Sequence, residues 1–193
     1  MPKAPLRILI VAALCALGLI GLVVRESMAR DAGTEVLLAM EAVDPRSLLS
    51  GHYVIVGLRE RLADGEPCPE QAPEPTWLAL AADGERYGLA GYAPTREEAE
   101  QIASIVVRGQ FSCDPPTPPE GEFTGAPGFV MLDLGVSRFH IKQADAERID
   151  RILRAQTPGE ATRAFAIVSI GRDGRARLKG LMVDGERLEL SWL

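Results

Sequence analysis

The feature that most constrains this chain is an uninterrupted apolar segment near its N-terminus. Residues 8–24 carry no charge; Lys3 and Arg7 precede them, and Arg25 and Glu26 follow. As a helix, the segment would be roughly 25 Å long, close to the hydrocarbon thickness of a bilayer. Basic residues ahead of a single span favour a cytoplasmic N-terminus. The pattern therefore predicts a helix anchored in the lipid bilayer, with the rest of the chain on the far side.

This orientation divides the chain into two parts. We expect residues 1–29 to form a cytoplasmic tail and transmembrane anchor in the inner (cytoplasmic) membrane, and residues 30–193 to form an extracytoplasmic domain. A cleaved signal peptide is the alternative, because Ser27 and Ala29 place small residues at a suitable spacing. The apolar segment is longer than a usual signal core, and two charged residues separate it from that site. An uncleaved anchor is therefore the favoured interpretation.

The part of the chain beyond the anchor is acidic. It carries 18 basic and 26 acidic side chains, which leaves a net charge of −8. Such a surface repels the phosphate backbone and lacks the basic patch of a nucleic-acid-binding protein. We therefore expect no nucleic-acid partner.

Most of this part has the pattern of β-strands. Residues 35–43 are densely apolar, residues 52–61 are rich in β-branched side chains, and residues 104–111 have a similar composition. Asp-Gly pairs, which favour the positive φ angles of tight hairpins, separate further apolar runs. Asp83-Gly84 separates residues 76–82 from 85–92, Asp173-Gly174 separates 163–170 from 175–183, and Asp184-Gly185 separates the latter from 186–192. The last two pairs predict a three-stranded antiparallel meander.

Two short helices and two loops complete the pattern. Residues 95–103 predict a helix capped by Thr95, and residues 143–155 predict a second helix with an apolar stripe. Residues 67–75 and 114–128 are dense in proline and predict loops. The fold class predicted is α+β, mostly antiparallel β: an N-terminal transmembrane helix followed by a β-rich extracytoplasmic domain with one or two short helices.

Two cysteines border the proline-rich loops. In an oxidising compartment Cys68 and Cys113 would be able to form a disulfide and restrain both loops. The alternative is a pair of unpaired small side chains, and the disulfide is the favoured interpretation. A catalytic thiol would need an oriented histidine, and neither cysteine has one nearby in the sequence.

Other polar residues suggest few chemical sites. His52 and His140 lie far apart without a ligand pattern, so we expect no metal, and no motif indicates a cofactor. Arg175, Arg177 and Lys179 alternate along a predicted strand and therefore share one face. That face would either bind an anionic lipid head or acidic partner, or be a solvent face rich in salt bridges, which is the favoured interpretation.

A hydrolase of the bacterial signal-peptidase type is the enzymatic alternative, because such enzymes join one anchor to a β-rich domain. Ser47 or Ser50 would be the nucleophile, and Lys142 or Lys179 the base. The Ser-Met-x-Pro motif of those enzymes does not occur here. We therefore assign no catalytic residue.

Two motifs carry a family resemblance. The run Val43-Asp44-Pro45-Arg46, with Leu48, Gly51 and Tyr53, resembles the signature region of the GDYXXLXY family of bacterial membrane-anchored proteins. Residues 176–186, which contain Lys179-Gly180 and Asp184-Gly185, are similar to the hairpin near the family's C-terminus. Arg138-Phe139 is similar, more weakly, to the family's Tyr-Phe motif.

The chain departs from the signature at three positions. His52 stands in place of the aspartate, Val56 in place of the usual leucine, and Leu58 in place of the final tyrosine. Any role that needs the aspartate is absent, so the motif is predicted to be structural. Asp44 and Pro45 would begin a helical turn that Gly51 ends, and Tyr53 would pack in the following strand.

The resemblance implies a topology rather than an activity. Members of the family tend to be encoded beside, or fused to, polytopic membrane proteins, which implies a polytopic membrane partner. Our first hypothesis is a non-catalytic interaction module for another membrane or envelope protein. The alternatives are the serine–lysine hydrolase and a binder of a small envelope ligand, for which a deep apolar pocket would be the sign.

Overall fold

The computed structural model describes residues 3–42, 53–63, 66–70, 76–117, 127–136, 138–140 and 164–189. These residues form two helices and ten strands. The helices are α1 (Lys3–Asp31) and α2 (Arg96–Ile102). The strands are β1 (Thr34–Ala42), β2 (Tyr53–Arg61), β3 (Thr76–Asp83), β4 (Arg86–Ala93), β5 (Ile105–Asp114), β6 (Phe129–Asp133), β7 (Arg138–His140), β8 (Ala164–Ile170), β9 (Ala176–Val183) and β10 (Glu186–Glu189).

Helix α1 contains the apolar N-terminal segment. Its mean hydropathy reaches 2.7, and it is the one helix among the described residues long and apolar enough to cross a membrane. Its apolar side chains are exposed along its length, from Ile8 to Val24. An exposed apolar surface of this extent is unfavourable in water, which is compatible with a membrane anchor or with a signal sequence. The helix continues to Asp31, and β1 begins at Thr34.

The ten strands form a continuous sheet in the order β10-β9-β8-β1-β4-β3-β5-β6-β2-β7. A further pairing between β1 and β2 closes six of them, β1-β4-β3-β5-β6-β2, into a barrel. The β1–β4 pair is parallel, and the remaining pairs are antiparallel. Strands β8–β10 extend the sheet from β1, and β7 pairs with β2. The predicted α+β, mostly antiparallel fold class is confirmed, whereas barrel closure was not predicted.

Alternate aliphatic residues fill the interior of the barrel. In β1, Val36, Leu38 and Met40 are buried, and in β3 Leu78 and Leu80 are fully buried. They belong to one cluster with residues of β2, β5, β6, β8 and β9. Because side chains alternate across a strand, the same period places the intervening residues of each barrel strand on its outer face. The cluster is therefore the main core of the protein.

The three predicted hairpins are present. Strands β3 and β4, β8 and β9, and β9 and β10 pair antiparallel across their Asp-Gly turns. Asp184 and Gly185 both have positive φ, 52° and 79°, the combination that a two-residue hairpin of type I′ requires. The meander predicted from the last two turns is confirmed as β8-β9-β10.

Helix α2 confirms the capped helix predicted at residues 95–103. The Thr95 hydroxyl accepts a hydrogen bond from the Glu98 N–H at 3.3 Å. Ala99 is fully buried against the outer face of the barrel, beside Ala79, Ala93 and Val106. This contact forms a second, smaller core.

Other predictions have a different outcome. Strand β5 runs to Asp114 and includes Cys113, so it extends into the first residue of the predicted loop 114–128. Strand β6 was not predicted. The helix predicted at residues 143–155 and the turn at residues 44–51 lie outside the described residues.

Candidate functional site

The last turn of α1 is bonded to the barrel. Arg177, which is buried at the start of β9, donates to the Glu26 carboxylate at 2.6 Å and to the Asp173 carboxylate at 2.8 Å. The Ser169 hydroxyl donates to the backbone carbonyl of Arg30. We call this set, Glu26, Arg30, Ser169, Asp173 and Arg177, the anchor joint. It ties the helix to both β8 and β9.

The charges of the anchor joint stabilise one another. The Arg177 guanidinium holds the pKa of the Asp173 carboxyl well below its usual range. Asp173 and then Glu26 raise the pKa of Arg177 above its ordinary value. A buried guanidinium needs such partners, because an unpaired charge would lose its hydration without compensation.

A second set of ion pairs crosses the sheet between β1, β9 and β10. Glu35 accepts hydrogen bonds from Arg187, at 3.0 Å, and from Lys179. These bonds, that of Arg187 first, lower the pKa of Glu35 to about 2. Of the three cations predicted to share one face, Arg177 and Lys179 are therefore in salt bridges, as the favoured interpretation held. Arg175 lies apart from them in a groove.

This groove, which we call the arginine groove, lies outside the barrel and has a volume of about 590 Å³. Its lining comes from the start of β3, the middle of β5, the end of β6 and the segment between β8 and β9. Its polar and aromatic lining includes Thr76, Trp77, Arg108, Gln110, Asp133 and Arg175. Its lining differs from the deep apolar pocket that the ligand-binding hypothesis required.

Trp77 stacks against two arginines, of which Arg108 lines the arginine groove and Arg96 does not. Arg108 lies directly opposite Trp77 in the β3–β5 pair, with its guanidinium carbon 4.9 Å from the centre of the indole ring. The guanidinium of Arg96, from α2, lies 5.6 Å from the same centre. Such cation–π contacts hold a guanidinium without neutralising it. Gly174 packs against the indole ring where a Cβ atom would have no room.

Glu60 is a carboxylate on the inner face of the barrel. It alternates with Leu58 and Leu62, both buried, and it accepts a hydrogen bond from the Leu89 N–H at 3.0 Å. Gly88 leaves room for this carboxylate, since a Cβ atom there would meet it. Burial raises the pKa of Glu60 above its usual value, and the bond from Leu89 opposes that effect in part. Glu60 thus connects β2 to a backbone N–H group of β4, a strand with which β2 does not pair in the described part of the chain.

Cys68 and Cys113 form a disulfide with a Cα–Cα distance of 5.8 Å. Cys113 belongs to β5, and Cys68 lies in the irregular segment after β2. Both pack against the main core. The bond therefore attaches this segment to the barrel wall.

The motifs that carry the family resemblance occupy two strand pairings. In the β2–β7 pair, Tyr53 lies opposite His140 and Ile55 lies opposite Arg138. In the C-terminal hairpin, a Cβ atom at Gly180 would strike the backbone carbonyl of Leu188, so the motif glycine permits the close β9–β10 approach. Asp44, Pro45, Arg46, Gly51 and His52 lie outside the described residues.

A family model for the GDYXXLXY protein matches residues 15–181. The chain belongs to the GDYXXLXY family. No curated protein and no solved structure matches this GDYXXLXY protein. The match covers the first motif region, the barrel strands and residues 176–181 of the second motif region, and it attaches no activity to them.

Of the four residues named in the hydrolase hypothesis, the structure describes one, Lys179. Ser47, Ser50 and Lys142 lie outside the described residues, so their geometry remains a prediction. Lys179 is bonded to Glu35 across the sheet. The described residues contain no group of three or more His, Cys, Asp or Glu side chains arranged for a metal ion.

Several residues of the candidate sites were missed by the sequence interpretation, among them Trp77, Arg108 and Glu60. A signal existed for Glu60, because its spacing from Leu58 and Leu62 places it on the inward face of a strand. Arg108 and Trp77 gave no such signal. Their proximity depends on the register of β3 against β5, which a single sequence does not reveal.

Proposed function

We propose that this protein is a membrane-anchored, non-catalytic interaction module that engages a neighbouring membrane or envelope protein. In this proposal α1 is an uncleaved single span in the inner membrane, and the barrel lies on the extracytoplasmic side. The observation that carries the proposal is the anchor joint. A barrel bonded to its own anchor would present a fixed face at the membrane surface.

The connection between anchor and barrel is short. Only Ala32 and Gly33 separate α1 from β1. With Glu26 and Arg30 also bonded to the barrel, the barrel has little freedom to rotate relative to the helix. Confinement to the membrane raises the effective concentration of a partner in the same bilayer, so a small interface can be sufficient.

The same contacts favour an uncleaved anchor. Cleavage after Ala29 would remove Glu26 and leave Arg177 with Asp173 as its carboxylate partner. Ser27 and Ala29 lie within α1, half-buried, rather than in an extended segment. The Cys68–Cys113 disulfide fits an oxidising compartment outside the cytoplasm.

Site-specific photocrosslinking in cells tests the proposal. A photoreactive amino acid would replace Met28 on α1, Ile102 on α2 or Met131 on β6, three exposed apolar positions. We expect at least one position to give a discrete adduct with a protein of the membrane fraction. Absence of an adduct from all three would contradict the interaction module.

The anchor joint supplies a matched comparison. Glu26→Ala together with Ser169→Ala removes the Arg177–Glu26 and Ser169–Arg30 bonds to α1, and we expect the adduct yield to fall because the barrel loses its fixed orientation. Arg187→Gln removes an ion pair of the same sheet that does not involve α1 and should leave the yield unchanged. Equal yields from both variants would refute the role of the anchor joint.

A further inference from the structure

In the part of the chain that the structure describes, two cations of the arginine groove have no carboxylate partner. Among the described residues, Arg108 and Arg175 have no salt bridge, whereas Arg96, Arg177 and Arg187 each have at least one. Arg25 and Arg172 also have no salt bridge among the described residues, but they do not line the groove. Two unneutralised guanidinium groups in one groove favour an anionic ligand.

The groove lies close to the end of α1 through a chain of direct contacts. Glu26 binds Arg177, and Arg177 binds Asp173 in the β8–β9 turn. The carbonyl of Gly174, the next residue, accepts a hydrogen bond from the Arg108 N–H at 2.8 Å. Glu26 is two residues beyond the apolar segment, so the groove would lie near the headgroups of a bilayer that α1 spans.

The side chains of the groove match the chemistry of that region. Arginine binds phosphate oxygens through two parallel N–H groups, and tryptophan prefers the interface between water and lipid. Gln110 adds an amide donor to the same groove. Asp133 also lines it, and its carboxylate already accepts a hydrogen bond from the Gly135 N–H at 3.0 Å.

The net charge of the arginine groove restricts the charge of the ligand that it would bind. Arg108, Arg175 and Asp133 together leave the groove with one net positive charge. That value matches one phosphodiester, which carries a single negative charge, and it disfavours polyanions such as nucleoside triphosphates. Trp77 offers an apolar surface to the atoms next to the phosphate.

We propose that the arginine groove binds the phosphodiester of a phospholipid headgroup, with Arg108 and Arg175 as the phosphate ligands. This site rests on the anchored arrangement proposed above, but it requires no protein partner. A bound headgroup would fix the barrel against the bilayer at a second point, beside the anchor joint.

Fluorescence of Trp77 tests this site in the full chain, purified in a non-ionic detergent and phosphate-free buffer. Trp192→Phe leaves Trp77 as the reporter, because the protein has two tryptophans. The titrant is a short-chain phosphatidylglycerol below its own micelle concentration, and inorganic phosphate is titrated in parallel. We expect a saturable change with the lipid and a weaker response to inorganic phosphate.

Substitution of Arg108 and Arg175 tests whether these side chains bind the lipid. Arg108→Gln and Arg175→Gln should each weaken lipid binding about tenfold, the effect of losing one charged hydrogen-bonding partner. Arg86→Gln, which lies on the β3–β4 hairpin, should bind as the parent does. Circular dichroism checks that each variant is folded.

Three outcomes would overturn the proposal: no saturable change, unchanged affinity in both groove variants, or equal affinity for inorganic phosphate and lipid. The last would assign the groove to free phosphate instead. None of these outcomes alters the photocrosslinking result, which depends on the anchor joint and not on Arg108 or Arg175.

Discussion

Charged residues of the same type have different environments in this protein, depending on the side chains around them. Arg175 and Arg177 are two positions apart on the same strand edge, yet Arg177 is buried between two carboxylates and Arg175 lines a groove. Glu35 and Glu60 differ in the same way. Ion pairs at the surface lower the pKa of Glu35, whereas burial raises that of Glu60.

Glu60→Gln is expected to stabilise the protein at neutral pH. The pKa of Glu60 in the folded state lies above its unfolded value of 4.5, so the folded state loses stability as the pH rises past 4.5 towards that raised pKa. Glutamine keeps an acceptor for the Leu89 N–H without a charge. The melting temperature, followed by circular dichroism, should exceed that of the parent at pH 7, and the gap should close by pH 4. A gap independent of pH would contradict the buried carboxylate.

Two substitutions serve as controls for Glu60. Glu60→Ala leaves the Leu89 N–H without its acceptor and should cost about 1–3 kcal/mol at pH 4, where the Glu60 carboxyl is largely neutral, and less at pH 7, because it also removes the buried charge. Glu35→Gln should have the opposite pH dependence, because the stability from Glu35 is present above pH 4.5 and is lost as the pH falls through about 2. Its cost at pH 7 should be about 1 kcal/mol or less, since these ion pairs are partly exposed.

Strands and turns were the most predictable elements, and their ends were the least. Each Asp-Gly hairpin lies where the turn chemistry placed it. The boundaries of β5 depend on its partners: its first half pairs with β3 and its second half, from Gln110 to Asp114, pairs with β6. When one strand pairs with two partners in succession, no sequence signal marks the residue at which the partner changes.

The Cys68–Cys113 disulfide joins β5 to the segment after β2, and its contribution to stability can be tested directly. Cys68→Ser with Cys113→Ser should lower the free energy of unfolding by about 2–4 kcal/mol, because the unfolded chain regains the freedom of a long loop. Urea unfolding of the full chain in detergent measures this, and a reducing agent should reproduce it in the parent. Cys15→Ser, in α1, should have no effect. An unchanged midpoint in the double variant would contradict a stabilising bond.

At the scale of the whole molecule, the β1–β2 pairing converts a sheet into a barrel. Residues 40–42 of β1 pair with β2, while its earlier residues pair with β8 and β4. The same strand follows α1 directly, so the barrel and the anchor share a rigid connection. In the proposed membrane-anchored arrangement, this connection would set the orientation of the barrel relative to the bilayer.

The proposed topology gives a whole-molecule prediction. Alkaline phosphatase, which is active only outside the cytoplasm, should be active when fused after Leu193. Lys3→Glu with Arg7→Glu should reduce that activity, because Arg25 and Arg30 would then hold the positive charge on the opposite side of the span. Full activity in the charge variant, or none in the parent fusion, would contradict the predicted orientation.

By itself the sequence determined the apolar helix, the fold class, the three hairpins and the capped helix α2, because each depends on residues close together in the chain. The disulfide between Cys68 and Cys113 was predicted from two cysteines beside the proline-rich loops and from the expected oxidising compartment. The structure contains this bond. Barrel closure, the anchor joint and the arginine groove were decided by the tertiary structure. Glu26 contacts Arg177, and Trp77 and Arg175 line one groove, only through long-range strand order and register, and no local pattern encodes those arrangements.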